Sequence, residues 1–118
     1  MHTGTAMPLV ASGTPMTDAI LVMTAKSFGC VGVTGDNGKL VGILTDGDLR
    51  RHMGDDLLRS TVDGIMSPRP KTIRPQALVV EALGQMNAQA ITSLFAIDDG
   101  RRPLGILHIH DCLRAGVA

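Results

Sequence analysis

Apolar and polar positions follow one another along this chain in an order that occurs twice. After Thr14-Pro15, apolar residues recur at Ala19, Ile20 and Met23, the stripe of an amphipathic helix. Thr14 is expected to cap that helix and Pro15 to take its first position, where a missing N–H costs nothing. Cys30-Val31-Gly32-Val33 reads as a short strand, Asp36-Asn37-Gly38 as a hairpin turn and Leu40-Val41-Gly42-Ile43-Leu44 as the return strand. A short helix is predicted around Asp48 to Met53. The signals then repeat. Val79, Ala82, Leu83 and Met86 form a second helical stripe, Leu94-Phe95-Ala96-Ile97 a strand and Asp98-Asp99-Gly100 a turn. Leu104-Gly105-Ile106-Leu107 is the second return strand, and a closing helix is predicted around Asp111 to Ala115.

Placing Gly42-Ile43-Leu44 on Gly105-Ile106-Leu107 sets an offset of 63 residues between the copies. In that register Val10 falls on Ile73, Ala19 on Ala82, Met23 on Met86, Val31 on Leu94 and Asp48 on Asp111. The chain is therefore read as two β-α-β-β-α repeats, the first over residues 1–60 and the second over 61–118, a mixed α+β or α/β fold. One unit of about sixty residues leaves a sheet with a bare apolar face. The two copies are expected to bury those faces against each other with pseudo-two-fold symmetry, leaving clefts where loops of both copies approach.

Composition narrows the function. Eleven basic and eleven acidic side chains cancel to a formal charge of zero, which argues against the clustered positive surface that nucleic acid requires. Aromatic residues are 2% of the chain, Phe28 and Phe95 alone, too few for a base-stacking platform or a methylammonium cage. Both are expected in the core. No apolar run approaches the roughly 20 residues of a spanning helix, so no membrane partner is expected. Cys30 and Cys112 stand singly in apolar stretches and read as buried thiols. With no basic-then-apolar leader at the start, the chain is expected in the cytoplasm.

A few residues could carry chemistry. Thr45 and Asp48 lie where a strand ends and a helix begins, able to exchange hydrogen bonds with sugar hydroxyls beside helix N–H groups that suit an anion. The plainer reading is helix capping. Asp46 and Asp48 could be a catalytic carboxylate pair, but the second copy has Ile109 in place of Asp46, and no catalytic residue is assigned. In His108-Ile109-His110-Asp111 the two imidazoles share one side if the stretch stays extended. Two imidazoles and one acid fall short of a buried metal site, so His108, His110 and Asp111 are read as polar contacts to a ligand phosphate or carboxylate, sensitive to pH. Arg50 and Arg51 offer forked guanidiniums to the same groups, against the alternative of a solvated helix face. Lys71 and Arg74 are weaker candidates of that kind.

The repeated order, with Gly42-Ile43-Leu44-Thr45-Asp46-Gly47-Asp48, resembles a pair of CBS domains over essentially the whole chain. The family pattern is Gly, two apolar residues, Thr or Ser, two variable residues and Asp. The first copy matches it fully, whereas the second keeps Gly105 and Asp111 but has His108 in place of Thr. Met66-Ser67-Pro68 looks like the family's opening segment, and Met1-His2-Thr3 like its partner in the first copy. The resemblance adds Thr92 and Ser93 as cleft-facing hydroxyls.

A narrower resemblance rests on Phe28-Gly29-Cys30-Val31-Gly32-Val33, Leu44-Thr45-Asp46-Gly47-Asp48-Leu49-Arg50-Arg51 and Gly105-Ile106-Leu107-His108-Ile109-His110-Asp111-Cys112-Leu113-Arg114. These strings look like the CBS pair of bacterial arabinose-5-phosphate isomerases, enzymes that make the precursor of Kdo, the sugar acid of lipopolysaccharide. Nothing in the chain corresponds to their isomerase domain, so an excised regulatory part is expected. By resemblance it would be non-catalytic, need no cofactor or metal, and bind the end product CMP-Kdo, with its own isomerase domain and a second CBS pair as partners. The alternatives are an adenosine-nucleotide (AMP or ATP) sensor and a purely structural dimerisation module.

Overall fold

A computed structural model describes residues 2–26, 28–54, 56–77 and 79–114. The chain divides into two compact units, and each is treated by itself. The first runs from Pro8 to Pro70; in the second, the residues up to Met7 join those from Lys71 onward.

The first unit begins with β1 (Leu9–Ala11), followed by α1 (Met16–Lys26), β2 (Cys30–Thr34), β3 (Leu40–Thr45) and α2 (Asp46–Arg51). It ends on a two-residue edge segment, β4 (Ser67–Pro68). Strand order is β1-β2-β3-β4, with β1 parallel to β2 and the other pairings antiparallel. The parallel step needs a crossover, and α1 supplies it by burying Met16, Ala19 and Met23 on one stripe. At the hairpin, Asn37 adopts φ 63°, the left-handed conformation that asparagine tolerates.

In the second unit the elements are β5 (Thr72–Ile73), α3 (Val79–Gln89), β6 (Ser93–Ile97), β7 (Pro103–His108) and α4 (Ile109–Arg114). Strand order is β5-β6-β7, again parallel then antiparallel. The ladder irregularity between Val33 and Thr34 recurs between Ala96 and Ile97, at the same place in the repeat. Both cores are built from corresponding side chains. Val10, Ala19, Met23, Val31, Val33 and Leu44 in the first match Ile73, Ala82, Met86, Leu94, Ala96 and Leu107 in the second. Phe95 is fully buried, as expected of a core residue, and Cys30 is a buried thiol. The side chain of Cys112 lies outside what is described.

The compact units part at Pro70/Lys71, a different division from the sequence repeats, because Val62 and Ile65 pack into the first core and β4 pairs with β3. Two expectations are corrected. Thr14 does not cap α1: its hydroxyl donates 2.6 Å back to the Ala11 carbonyl, and the carbonyl of Pro15 accepts from Asp18 and Ala19. The first closing helix begins at Asp46 and ends at Arg51, which leaves Met53 in the following loop. Ala115, where the second was expected to end, lies outside the described residues.

Candidate functional site

The end of β3 and the start of α2 form one hydrogen-bonded knot around Asp48. Thr45 is the N-cap, in extended conformation, and its hydroxyl accepts from the Asp48 N–H at 3.3 Å. Asp48 Oδ2 in return accepts from the Thr45 N–H at 2.9 Å and from the Thr45 hydroxyl at 3.0 Å. This reciprocal arrangement is a capping box with aspartate in the third helical position. Asp48 Oδ1 accepts from the Ser67 hydroxyl at 2.6 Å and from the Arg51 guanidinium. Asp48 is fully buried, and a buried carboxylate is tolerated only when paired and hydrogen-bonded in this way. Arg51 stays largely exposed, reaching Asp48 and Ser67 with one nitrogen.

The corresponding turn in the second unit uses different chemistry in the same geometry. Asp111 Oδ2 accepts from the His108 N–H at 2.9 Å, as Asp48 does from Thr45. His108 supplies the missing acceptor through its ring: Nδ1 accepts from the His110 N–H at 3.1 Å. In place of the serine on β4 stands His2, whose Nε2 lies 3.3 Å from Asp111 Oδ1 and 3.2 Å from Oδ2. His2 forms an antiparallel bridge with Ile106, and Ser67 pairs with Ile43, the residue in phase with Ile106. Each acid thus reaches an edge segment laid along its own return strand.

The condition set for a shared histidine face is not met. β7 ends at His108 and α4 starts at Ile109, so the two imidazoles are not on one face of a strand. A helical start satisfies backbone groups that an extended chain would leave open, and the rings meet edge to face at 4.7 Å. Among the described residues no group of three or more histidine, cysteine or acidic side chains is arranged to hold a metal ion.

The other predicted residues fall around these turns to differing degrees. Ser93 is buried and pairs with His108 in the β6–β7 ladder; Thr92 is exposed, and its carbonyl accepts from the Ile109 N–H at 2.8 Å. Arg50 is exposed on α2. Arg74 is engaged with Glu81 at 2.8 Å, and Lys71 is exposed. Neither belongs to the turns. Ser67 and His2 are the contributors that the sequence reading passed over as site residues; the sole signal was their place in the two opening segments.

Two further features lie apart. A cavity of about 510 Å3 is lined by Met53, Gly54, Asp56, Leu57, Leu58 and Arg59, and it includes none of the predicted site residues. At the turn after β1, Asp63 accepts from the Ser12 hydroxyl and the Gly13 N–H. The Ser12 hydroxyl, and then the Gly13 amide, hold its carboxyl below the ordinary value of 3.8.

Paired β-α-β-β-α units, each closed by an acid-centred turn after a Gly-apolar-apolar strand, define a class. The CBS-domain sequence pattern matches residues 5–55 and 62–118, and the chain belongs to that family as a CBS pair. Its particular relatives include an arabinose 5-phosphate isomerase, KdsD of Pseudomonas aeruginosa, which is 44% identical over 119 residues. That match covers 99% of this chain but 36% of the relative, so the chain spans about a third of its length, and the matched stretch carries the CBS pair. Among solved structures, CBSX2 in complex with AMP superposes with a TM-score of 0.83 at 22% identity, covering 99% of this chain and 92% of the other. The CBS pair of MJ0100, in complex with 5′-methylthioadenosine and S-adenosyl-L-methionine, gives 0.82 at 22% identity, with 97% and 90% covered. No described helix is long and apolar enough to cross a membrane.

Proposed function

We propose that this CBS pair is the non-catalytic regulatory part of an arabinose-5-phosphate isomerase and that it binds the activated sugar CMP-Kdo as a feedback signal in the cytoplasm. The observation that carries this reading is the 44% identity to KdsD across 99% of the chain, which includes both acid-centred turns. Thr45, Arg50 and Arg51 at the first turn, and Thr92, Ser93, His108 and His110 at the second, are assigned to ligand contact. Asp48, which holds Thr45 and Arg51, and Asp111, which holds the backbone of His108, belong to the same assignment. The hydroxyl and guanidiniums of the first turn and the imidazoles of the second are each groups that suit a phosphate or a carboxylate.

A second reading, AMP or ATP as the ligand, is favoured by the adenosine compounds held by CBSX2 and MJ0100. Calorimetric titration with CMP-Kdo, AMP and ATP separates the two. Binding of CMP-Kdo alone is the expected result; binding of an adenine nucleotide alone overturns the first reading in favour of the second. Silence from all three overturns both and leaves a structural dimerisation module, which a concentration-dependent dimer in sedimentation would then support.

A further inference from the structure

We propose that Ser67 and Asp48 aim the guanidinium of Arg51 outward, so that the first turn recognises an oxyanion, a phosphate or a carboxylate, through Arg51. The inference deepens the ligand reading of that turn, on which it rests, and places Asp48 behind Arg51 as its anchor. A carboxylate offers about four lone-pair positions to donors. On Asp48 they are spent. Oδ2 accepts from the N–H and the hydroxyl of Thr45, and Oδ1 accepts from the Ser67 hydroxyl and the Arg51 guanidinium. With its side chain 1% exposed, Asp48 has neither an open acceptor position nor a path to a ligand.

The two hydroxyls have also spent their protons. Ser67 donates to Asp48 Oδ1, and Thr45 donates to Oδ2 while it accepts from the Asp48 N–H. Arg51 is different. A guanidinium carries donors on each of its nitrogens, and here Nη2 alone is engaged, with Asp48 and with Ser67 at 3.4 Å. The donors at Nε and Nη1 have no partner among the described residues, and the side chain is 62% exposed. Nη1 also has a defined place: a Cβ on Gly47 would stand 3.5 Å from it, so the guanidinium lies folded back over the start of α2. Its two anchors restrict this long side chain before a ligand arrives, which lowers the ordering that binding requires.

The chemistry of the ligand group follows from what is left open. Donors without acceptors call for an acceptor, and a cationic fork matches the paired oxygens of phosphate and carboxylate. The acids Asp46 and Asp48 balance Arg50 and Arg51 on α2, so selection rests on direct contact rather than on long-range attraction. Asp46, the exposed acid of the four, extends toward Gly29, its Oδ2 4.0 Å from where a Cβ there would stand.

The test is titration of the intact 118-residue chain with inorganic phosphate at pH 6 and constant ionic strength, followed in 15N spectra at the Arg51 Nε–H and the Gly47 amide. A saturable shift at both is expected, and chloride is expected to produce none. Arg51→Gln should abolish the Gly47 response, and Arg51→Lys should weaken binding about tenfold, because a point charge replaces a fork. Ser67→Ala should weaken it about threefold by removing one anchor, and Ser67→Thr, which keeps the hydroxyl, should restore it. The proposal is overturned by a native chain without a saturable shift, by the same shift with chloride, or by native affinity in Arg51→Gln or Ser67→Ala. CMP-Kdo titrated into the same chains keeps this inference apart from the feedback reading. Phosphate bound at Arg51 without any CMP-Kdo binding retains the aimed guanidinium and removes the feedback ligand. CMP-Kdo binding that is unchanged in Arg51→Gln retains the ligand and removes the role of Arg51.

Discussion

The two turns that close the CBS copies do the same work with different side chains. In the first, threonine, aspartate, serine and arginine form a knot with a fully buried acid at its centre. In the second, the His2 imidazole and the His108 N–H contact an acid that keeps some exposure, while the His108 ring accepts from the His110 N–H. The invariant between them is the carboxylate reaching back to the N–H of the last strand residue. Threonine and histidine are interchangeable before it because each offers an acceptor to an early N–H of the following helix. A departure that looks like a lost motif in the sequence is a working cap in the fold, and the acid is first a folding device. What the substitution changes is the chemistry presented around that acid.

The sharpest way to break this symmetry is to remove the acids. Asp48→Ala strips partners from the Thr45 N–H, the Ser67 hydroxyl and Arg51 in a buried place, and is expected to cost about 3 kcal/mol. Asp111→Ala removes a cap and a half-exposed contact and should cost about 1 kcal/mol. Denaturant midpoints, resolved unit by unit through amide protection, check both numbers. Equal losses would show that burial of the first acid adds nothing.

Next in size is Gly42→Ala, on the strand that leads into the first turn. A Cβ there would come within 2.3 Å of the Met66 sulfur, so the side chain beside the β4 edge segment must move. The expected loss is about 1–3 kcal/mol, the range for overpacking. Met66→Ala in the same chain should recover part of it by opening room for the methyl. A double variant no better than Gly42→Ala would place the strain in the backbone.

Much of this was legible in the sequence, and the division between what was and was not has a physical cause. The stripe of Ala19 and Met23 and its echo in Ala82 and Met86 located both helices, because periodicity reports burial directly. The 63-residue register located Asp48 and Asp111, and the fold gives them matching bonds. Their partners were harder to see. Ser67 meets Asp48 across 19 residues and His2 meets Asp111 across 109, contacts that no local pattern encodes. The same edge pairing carries the first packed unit on to Pro70, so repeat and packed unit are different objects. Whether His108 and His110 share a face depended on a local choice: the spacing fits a strand face, but the capping bonds begin a helix at Ile109.

A gentler perturbation exchanges one cap for the other. His108→Thr writes the first turn's residue into the second, and the stability change is expected to stay within about 1 kcal/mol, since one acceptor replaces another. Thermal unfolding at pH 7 checks this. On the proposed ligand reading, the same variant should weaken CMP-Kdo binding more than it changes stability, because the imidazole is lost while the cap is kept. A variant that unfolds would show that the histidine contributes more to the turn than its Nδ1 bond.

The smallest effect is expected at Asp63, where the units differ again. Its carboxylate clasps the turn after β1 through the Ser12 hydroxyl and the Gly13 N–H, whereas in the second copy Pro75 and Gln76 stand in those positions, without a hydroxyl. Both bonds favour the ionised form, which places the folded-state value below the ordinary 3.8. A carboxyl depressed on folding adds stability above its unfolded value and loses that contribution as pH falls through the folded one. The native chain should therefore exceed Asp63→Asn in Tm at pH 5 to 7, and the gap should close as pH drops below the ordinary aspartate range. Because the group is exposed, the gap should be small, and because it rests on short-range hydrogen bonds it should persist in salt. A Tm difference that stays constant down to pH 2.5 would mean that the clasp acts through shape alone, and the charge of Asp63 would then play no part in setting the first unit apart from the second.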